Sequence, residues 1–400
     1  MKRSHHLRAM TGLTVAAASI AVLTGMPQLA ADQQKPAQQS IRRNSQVRSL
    51  PGQLDNVLML NDNNPELITG EGILVSTFPS DPGLDVSLNG RFDLFSHHVY
   101  AGQPDQLDST LWLAVVAEPA GEEPVTLKLL GGSTSLSQAT RKGQTAAPFL
   151  PMPALMAESG TAIASGPGSR VAGDLLRGDT ASELQKQWRL EPDSVTALVV
   201  LPIPVAGLDP LLNGRNLQLR LQSSGPVHVA TLAALGSAEK PPEPDKWRKL
   251  LKAGRQSPKE HQPTPRGARG KIVYSRVSGV QIGSTWTGTL TDPGSSHLNV
   301  DDGPISWPIS SLERGDLRTG QVQTAELKRF DAGTAWAAHG NYGVEYDLTL
   351  PLRNDGSQRR TVAISLESPD KSGSGDGALL FNGSTSGPVM FRGPIEVTGL

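Results

Sequence analysis

The sequence predicts an all-β protein of the antiparallel β-sandwich or jelly-roll type, built as one large fold or as two β domains. Its 42 Gly and 31 Pro are scattered without a period, which is typical of a chain with many tight turns. Short apolar stretches recur between these turn signals. In NLQLRLQ, Leu217, Leu219 and Leu221 alternate with polar residues, as in a strand with one buried face. We expect one short amphipathic helix, in a linker.

Residues 1–31 have the pattern of a cleavable signal peptide. The first eight residues carry three basic side chains and no acidic one. The apolar run 13–24 (LTVAAASIAVLT) is shorter than the roughly 20 residues that a settled membrane-spanning helix needs. Small residues then favour cleavage after Ala31, and an uncleaved membrane anchor is the alternative. We therefore expect an exported protein, periplasmic or extracellular, associated with the cell envelope.

Residues 32–49 are polar and rich in Gln, which predicts a flexible leader before the first β domain at 50–237. Asn213-Gly214 and Asn89-Gly90 each precede a predicted strand, and Asn213-Gly214 suits a type I′ hairpin turn. The predicted strands of this domain cover residues 72–78, 111–116, 125–130, 197–201, 217–221 and 227–232.

Residues 238–271, called the linker below, contain six Pro and ten Lys or Arg against four Asp or Glu. Trp247, Leu250 and Leu251 follow the i, i+3, i+4 spacing of a short amphipathic helix over 244–252. The helix could dock on a sheet. A nucleic-acid or membrane contact is the other interpretation of basic charge beside a Trp, and a solvated linker with a docking helix is favoured.

A second β region is predicted at 272–400. Residues 344–350 and 362–366 alternate between apolar and polar side chains, as half-buried antiparallel strands do. A further strand is expected over 389–397. Because this strand has no closing turn after it, we expect the sequence to be a truncated precursor.

Charge and composition bound the partners. The formal net charge is −1, and it becomes −4 when the three basic residues of the signal peptide leave. This weak acidity predicts no nucleic-acid partner, and no later apolar run predicts a transmembrane anchor after signal cleavage. The absence of Cys excludes disulfides and thiolate chemistry. The oligomeric state stays open.

Common catalytic and cofactor motifs are missing. The sequence contains no G-x-S-x-G, H-E-x-x-H, P-loop or G-x-G-x-x-G pattern. No cofactor is therefore expected, although Ca²⁺ stays a weak alternative. Without these motifs an enzyme is less favoured than a binding protein.

Three segments could hold a metal ion. His97 and His98 are adjacent, but on a strand their rings point to opposite faces. His297, Asn299 and Asp301 would share one strand face and are weak metal candidates, with ordinary loop polarity as the alternative. Residues 370–375 imitate the start of an EF-hand loop, but Phe381 stands where a closing Glu is needed.

The densest candidate for a binding site is WAAHGNYGVEYD, residues 336–347. Aromatic rings and polar groups beside flexible glycines suit a sugar, and a bulged sheet corner with Tyr342 packed inward is the alternative. The candidate ligand-binding residues are Trp336, His339, Asn341 and Tyr342. Glu345 and Asp347, about 7 Å apart by strand rise, are the candidate catalytic pair of a glycosidase, or else a solvated polar face.

Several ordered segments resemble a family of exported cyanobacterial proteins known as domain of unknown function 3370. They include PGQLDNVLMLNDNNPELITGEGILVSTFP (51–79), GRFDLFSHHV (90–99), SGPGSRVAGDLLRG (165–178), LPIPV (201–205), SSGPVHVATLA (223–233) and AHGNYGVEYDLTLPL (338–352). The resemblance implies a secreted or envelope-associated protein. It supplies no activity, ligand or catalytic residue.

These observations favour a non-catalytic envelope or extracellular protein that has a binding or structural role and recognises a glycan or a partner protein. The alternative is a secreted hydrolase that acts on envelope polysaccharide through Glu345 or Asp347.

Overall fold

A computed structural model describes residues 5–10, 40–80, 82–102, 109–138, 150–151, 163–165, 167–313, 315–367, 369, 377–382, 389–391 and 394–399. The predicted signal-peptide core at 13–24, the cleavage site after Ala31 and the EF-hand-like segment 370–375 lie outside these residues. Strands are numbered along the chain. The described part is mostly strand with two helices, so the prediction of an all-β fold is confirmed.

The body is a sandwich of two sheets. The large sheet has seven strands, which in sheet order are β12 (Gln187–Leu190), β9 (Val125–Leu136), β14 (Leu212–Ser223), β7 (Arg91–Ala101), β5 (Leu58–Leu67), β16 (Val277–Ile282) and β20 (Leu327–Phe330). The small sheet has four, which are β13 (Thr196–Pro204), β8 (Ser109–Pro119), β15 (Val227–Ser237) and β6 (Gly72–Ser76).

The main core lies between these sheets. Leu60, Leu94 and Leu219 come from three adjacent strands of the large sheet, and they share one cluster with Val115 and Val229 from the small sheet. All five are buried because alternate residues of each strand point inward. The period of two read at 217–221 therefore marks the true core face.

Smaller sheets complete the architecture. A five-stranded sheet contains β25 (Ile395–Thr398), β1 (His5–Met10), β21 (Glu345–Leu350), β17 (Thr285–Thr289) and β4 (Gln53–Leu54). A three-stranded sheet contains β10 (Leu150–Pro151), β11 (Ile163–Ser165) and β24 (Val389–Phe391). Three pairs remain, which are β18 (Leu298–Asn299) with β22 (Leu352–Arg353), β19 (Ile305–Ser306) with β3 (Gln46–Val47), and β2 (Ser40–Asn44) with β23 (Ala378–Asn382).

Helix α2 (Pro244–Ala253) confirms the helix predicted in the linker. It begins with Pro in its first turn, and Gly254, whose φ of 61° lies in the left-handed region, caps its end. Trp247, Leu250 and Leu251 are buried and pack on the outer face of the small sheet in one cluster with Ile73. Neither helix in the described part of the chain is long and apolar enough to cross a membrane.

Helix α1 (Pro167–Arg177) was not predicted from sequence. Its start, Pro167-Gly168, has the residues of a turn, yet Pro fits the first turn of a helix because its missing N–H has no partner there. Val171 and Leu175 are buried along it. Asp174 accepts a hydrogen bond from Ser133 of β9 at 2.5 Å.

Other local predictions differ from the structure. Asn213-Gly214 lies inside β14 and not in a hairpin turn, because both residues pair with β7 in an unbroken ladder. Strand β21 runs parallel to β17 and antiparallel to β1. The leader is ordered from Ser40 onward, where β2 and β3 pair with later strands.

The predicted strand at 362–366 is absent. Residues 361–367 form no strand, and the side chains of Val362, Ile364 and Leu366 are exposed. Since the described residues offer these apolar groups no cover, the half-buried face inferred from their alternation does not form within this part of the chain.

Strands from both sides of the linker share the large sheet. Strand β16 pairs antiparallel with β5, and β5 pairs parallel with β7. The outer face of the same sheet also holds the loop before β21. There, Gln218 Nε2 donates to the Gly343 carbonyl at 2.7 Å, and Arg220 Nη2 bonds Glu345 Oε2 at 2.5 Å. These contacts fix the segment that contains the candidate site.

Candidate functional site

Trp336 and His339 line a surface cleft between the linker and the loop that precedes β21. The enclosed volume of the cleft is about 30 Å³, well below the roughly 300–1,000 Å³ of a deep small-ligand pocket, so a ligand would lie along its surface. We call this the aromatic cleft, and its lining includes Thr264, Pro265, Tyr274, Glu313, Trp336 and His339.

Three rings form the wall of the aromatic cleft. The centroids of Tyr274 and His339 are 4.8 Å apart at 56°, and those of Trp336 and His339 are 5.1 Å apart at 88°. Arg266 lies over the Trp336 ring, 4.9 Å from its centroid. Tyr274 is 40% exposed, so it presents an accessible aromatic surface to solvent.

Backbone contacts hold both sides of the cleft. Trp336 Nε1 donates to the Thr264 carbonyl at 3.4 Å, which ties the loop to the linker. The Ala335 N–H donates to the Arg276 carbonyl at 2.7 Å, and Ser310 Oγ donates to the Gly340 carbonyl at 2.7 Å. The rings are therefore placed by a braced loop.

Burial lowers the pKa of His339 below its ordinary value of 6.5, and the nearby Glu313 carboxylate opposes this shift. At neutral pH the imidazole is therefore uncharged, with one nitrogen as a donor and the other as an acceptor. The imidazole of His339 and the carboxylate of Glu313 can form hydrogen bonds with ligand hydroxyls. The exposed ring of Tyr274 can contact an apolar face of the same ligand.

Asn341 and Tyr342, the other two predicted ligand-binding residues, lie outside the lining of the cleft. Asn341 is fully buried, and its Nδ2 donates to the Gln323 carbonyl and to Tyr346 Oη. Tyr342 packs against Met59 and against Phe95. Both side chains brace the loop, as the alternative of a sheet corner with Tyr342 turned inward predicts.

Glu345 and Asp347 also lie away from the cleft lining. Glu345 is buried, 3% exposed, and its carboxylate forms an ion pair with Arg220. Asp347 is half-buried on the same strand, opposite Thr287 of β17. Arg220 of β14 is thus the structural partner of the buried Glu345.

The predicted metal candidates have separate partners. His297 Nε2 lies 3.4 Å from Asp355 Oδ2, and Asp301 Oδ1 bonds Arg360 Nε at 2.6 Å. The Asn299 N–H donates to Asp292 Oδ2 at 2.7 Å. His297, Asn299 and Asp301 therefore each bond to a different neighbouring residue.

His97 and His98 point to opposite faces of β7, as predicted. His97 Nδ1 lies 3.1 Å from Asn216 Oδ1 on the outer face. His98 Nε2 lies 2.7 Å from Asp62 Oδ2, which also accepts from Thr231 Oγ1 at 2.6 Å inside the sandwich. The two rings cannot share one ion.

A third group, Glu66, Glu260 and His261, places its potential ligand atoms within 4.8 Å of one another. The buried Glu66 carboxylate already accepts from the backbone N–H groups of Glu260 and His261 at 2.9 and 3.1 Å, and from Ser275 Oγ at 3.0 Å. These hydrogen bonds satisfy the buried carboxylate of Glu66, and they attach the linker to β5.

Three side chains of the aromatic cleft were missed by the sequence reasoning. Tyr274, Arg266 and Glu313 lie on segments far from residues 336–347 along the chain. Only Tyr274 gave a local signal, as an aromatic residue directly after the polar linker.

Comparison with known protein families gives a match over most of the chain. The family described as protein of unknown function (DUF3370) matches residues 45–400, which confirms the resemblance read from the sequence segments. No curated protein and no solved structure matches the chain.

Proposed function

This chain belongs to DUF3370, a family of proteins of unknown function, and we propose that it is an exported, non-catalytic envelope protein that binds a glycan in the aromatic cleft. The observation that carries the proposal is the wall of Tyr274, His339 and Trp336 at the mouth of a cleft. Sugar rings have apolar C–H faces that stack on aromatic side chains, and their hydroxyls need nearby donors and acceptors.

The polar groups of the cleft suit such a ligand. Glu313 supplies a carboxylate, and the neutral His339 supplies a donor and an acceptor. A purely apolar ligand would leave these groups without partners, which costs free energy. The site therefore favours a ligand with one apolar face and a polar rim.

The placement of Glu345 supports binding over hydrolysis. A glycosidase needs two carboxyl groups that flank the scissile bond, and Glu345 is buried against Arg220, away from the cleft lining. Export is supported by the signal-peptide pattern of residues 1–31, and cleavage of this segment would remove β1 from the five-stranded sheet. The family resemblance points to a cyanobacterial envelope as the location.

A glycan array with the purified mature chain tests the proposal. We expect binding that Tyr274→Ala and Trp336→Ala each weaken about tenfold or more, because truncating an aromatic hot-spot residue costs about 2 kcal/mol or more of binding free energy. Phe330→Ala is the matched control, because Phe330 is 42% exposed on β20 outside the cleft lining.

Three outcomes count against the proposal. These are no binding on a broad array, equal weakening by all three Ala variants, and glycan turnover that Glu345→Gln abolishes. The last outcome would establish the hydrolase alternative in its place.

A further inference from the structure

Residues 359–367 (RRTVAISLE) run along the surface as an exposed segment that belongs to no sheet. Among the described residues, no strand pairs with this segment, and no backbone–backbone hydrogen bond involves it. Val362, Ile364 and Leu366 are 46%, 38% and 53% exposed and alternate with small side chains. The segment therefore has the sequence of a strand and the exposure of a loop.

Ion pairs hold this segment at both ends. Arg360 Nε bonds Asp301 Oδ1 at 2.6 Å, next to β18. At the other end, Glu367 pairs with Arg43 of β2. A segment fixed at two points loses less conformational entropy when it pairs with another strand.

The apolar alternation is unusual for a strand left unpaired. Proteins protect such backbone with charged side chains or Pro along the strand, because unpaired N–H and C=O groups recruit other strands. Here the charged residues are confined to the ends, and residues 361–366 carry neither charge nor Pro. This pattern is that of a pairing surface.

The segment is complementary to itself in the antiparallel direction. When two copies align about Ala363, Val362 lies opposite Ile364, Thr361 opposite Ser365 and Arg360 opposite Leu366, and Arg359 lies opposite Glu367, which also pairs with Arg43 of its own chain. Opposite charges and apolar pairs both stabilise directly facing positions of a sheet. We propose that a second copy of this chain pairs with residues 359–367 across a two-fold axis at Ala363.

Such a two-stranded contact is small compared with the roughly 1,200–2,000 Å² of a standard interface. The dimer is therefore weak and concentration-dependent. Its symmetry places the same residues of both copies in contact, so it closes at two chains.

The absence of Cys makes a register test direct. Ala363→Cys places the two thiols of the dimer opposite each other, within reach of a disulfide. Thr361→Cys is the matched control on the same strand face, because antiparallel pairing separates its two thiols by about 13 Å, four strand residues. We expect Ala363→Cys to form a disulfide-linked dimer about tenfold faster or more than the control.

A second measurement uses the chain without Cys. In sedimentation equilibrium we expect a reversible monomer–dimer system, and Ile364→Asp should raise the dissociation constant about tenfold or more by burying a charge. Ser357→Asp, an exposed control outside the segment, should leave the dissociation constant unchanged.

The double variant Thr361→Cys/Ser365→Cys extends the crosslinking test. Because Thr361 faces Ser365 of the other copy, this variant should crosslink like Ala363→Cys.

The proposal is overturned by equal crosslinking rates for Ala363→Cys and Thr361→Cys, which indicate parallel pairing or random collision. A monomer at every concentration also overturns it, as does a dimer that Ile364→Asp leaves intact.

Discussion

His97 is a fully buried imidazole on the outer face of the large sheet. Burial lowers its pKa from 6.5 to about 3, and the neighbouring His98 acts in the same direction. The folded protein therefore keeps this ring neutral, with Asn216 as its hydrogen-bond partner. An unfolded chain has no such constraint and takes up a proton near the ordinary pKa.

This difference predicts acid destabilisation. Between pH 6.5 and about 3 the unfolded state binds a proton at His97 that the folded state does not, so stability falls as the pH falls. The steepest contribution is about 1.4 kcal/mol per pH unit. In urea unfolding over a pH series, His97→Gln should lose less stability on acidification than the wild type. Parallel curves would contradict the assignment.

Asp93 has the opposite dependence. Burial raises its pKa from 3.8 to about 6, although Arg91, with Nη2 at 2.6 Å, lowers it. Because the folded state binds the proton more tightly, the stabilisation present below pH 3.8 is lost as the pH rises through 6.

Asp93→Asn removes this dependence. The unfolding free energy of Asp93→Asn minus that of the wild type should increase by at most about 3 kcal/mol between pH 4 and pH 7. This limit corresponds to a pKa shift of about two units. The same urea series measures it. A difference that stays constant with pH would rule out the titration of Asp93 in this range.

At the scale of elements, α2 is attached to the sandwich by its apolar stripe. Trp247 is only 2% exposed, so Trp247→Ala should cost about 3–5 kcal/mol of unfolding free energy through lost contacts and a cavity. Lys249→Ala, on the solvent side of the same helix, should change it by less than about 0.5 kcal/mol. Chemical denaturation of the two variants compares them directly, and similar losses would mean that the helix does not dock.

Elements with a clear period were predictable from sequence. The stripe of Trp247, Leu250 and Leu251 and the alternation at 217–221 each report which side chains a sheet or helix buries. Local turn residues were less reliable. Asn213-Gly214 and Pro167-Gly168 both resemble turns, but sheet pairing and helix packing determine their structure.

The candidate site was predictable only in its contiguous part. Trp336 and His339 are neighbours in sequence, whereas Tyr274 and Glu313 join them only after the linker folds against the loop. Asn341 has the residue type of a ligand contact, yet the buried hydroxyl of Tyr346 is its partner. A single sequence does not show which polar residues the core uses for its own hydrogen bonds.

At the scale of the whole molecule, the two sides of the linker share one large sheet. Residues 50–237 alone lack β16 and β20, so β5 would become an unpaired edge and Glu66 would lose its partners in the linker. We expect this fragment to show no cooperative unfolding transition, whereas residues 40–400 unfold cooperatively. Circular dichroism with thermal unfolding measures both. A cooperative fragment would indicate two independent domains.

The pairing of β5 with β16 also bears on synthesis. Asn61 and Gln281, whose side chains bond at 2.6 Å, are 220 positions apart in the chain. During synthesis β5 leaves the ribosome long before β16, its partner strand. Strands that are this far apart in sequence pair slowly. The nascent chain therefore cannot complete its seven-stranded sheet until β16 and β20, which follow the linker, have been made. For the export proposed above, this delay would keep the chain incompletely folded while a secretion channel engages its first residues.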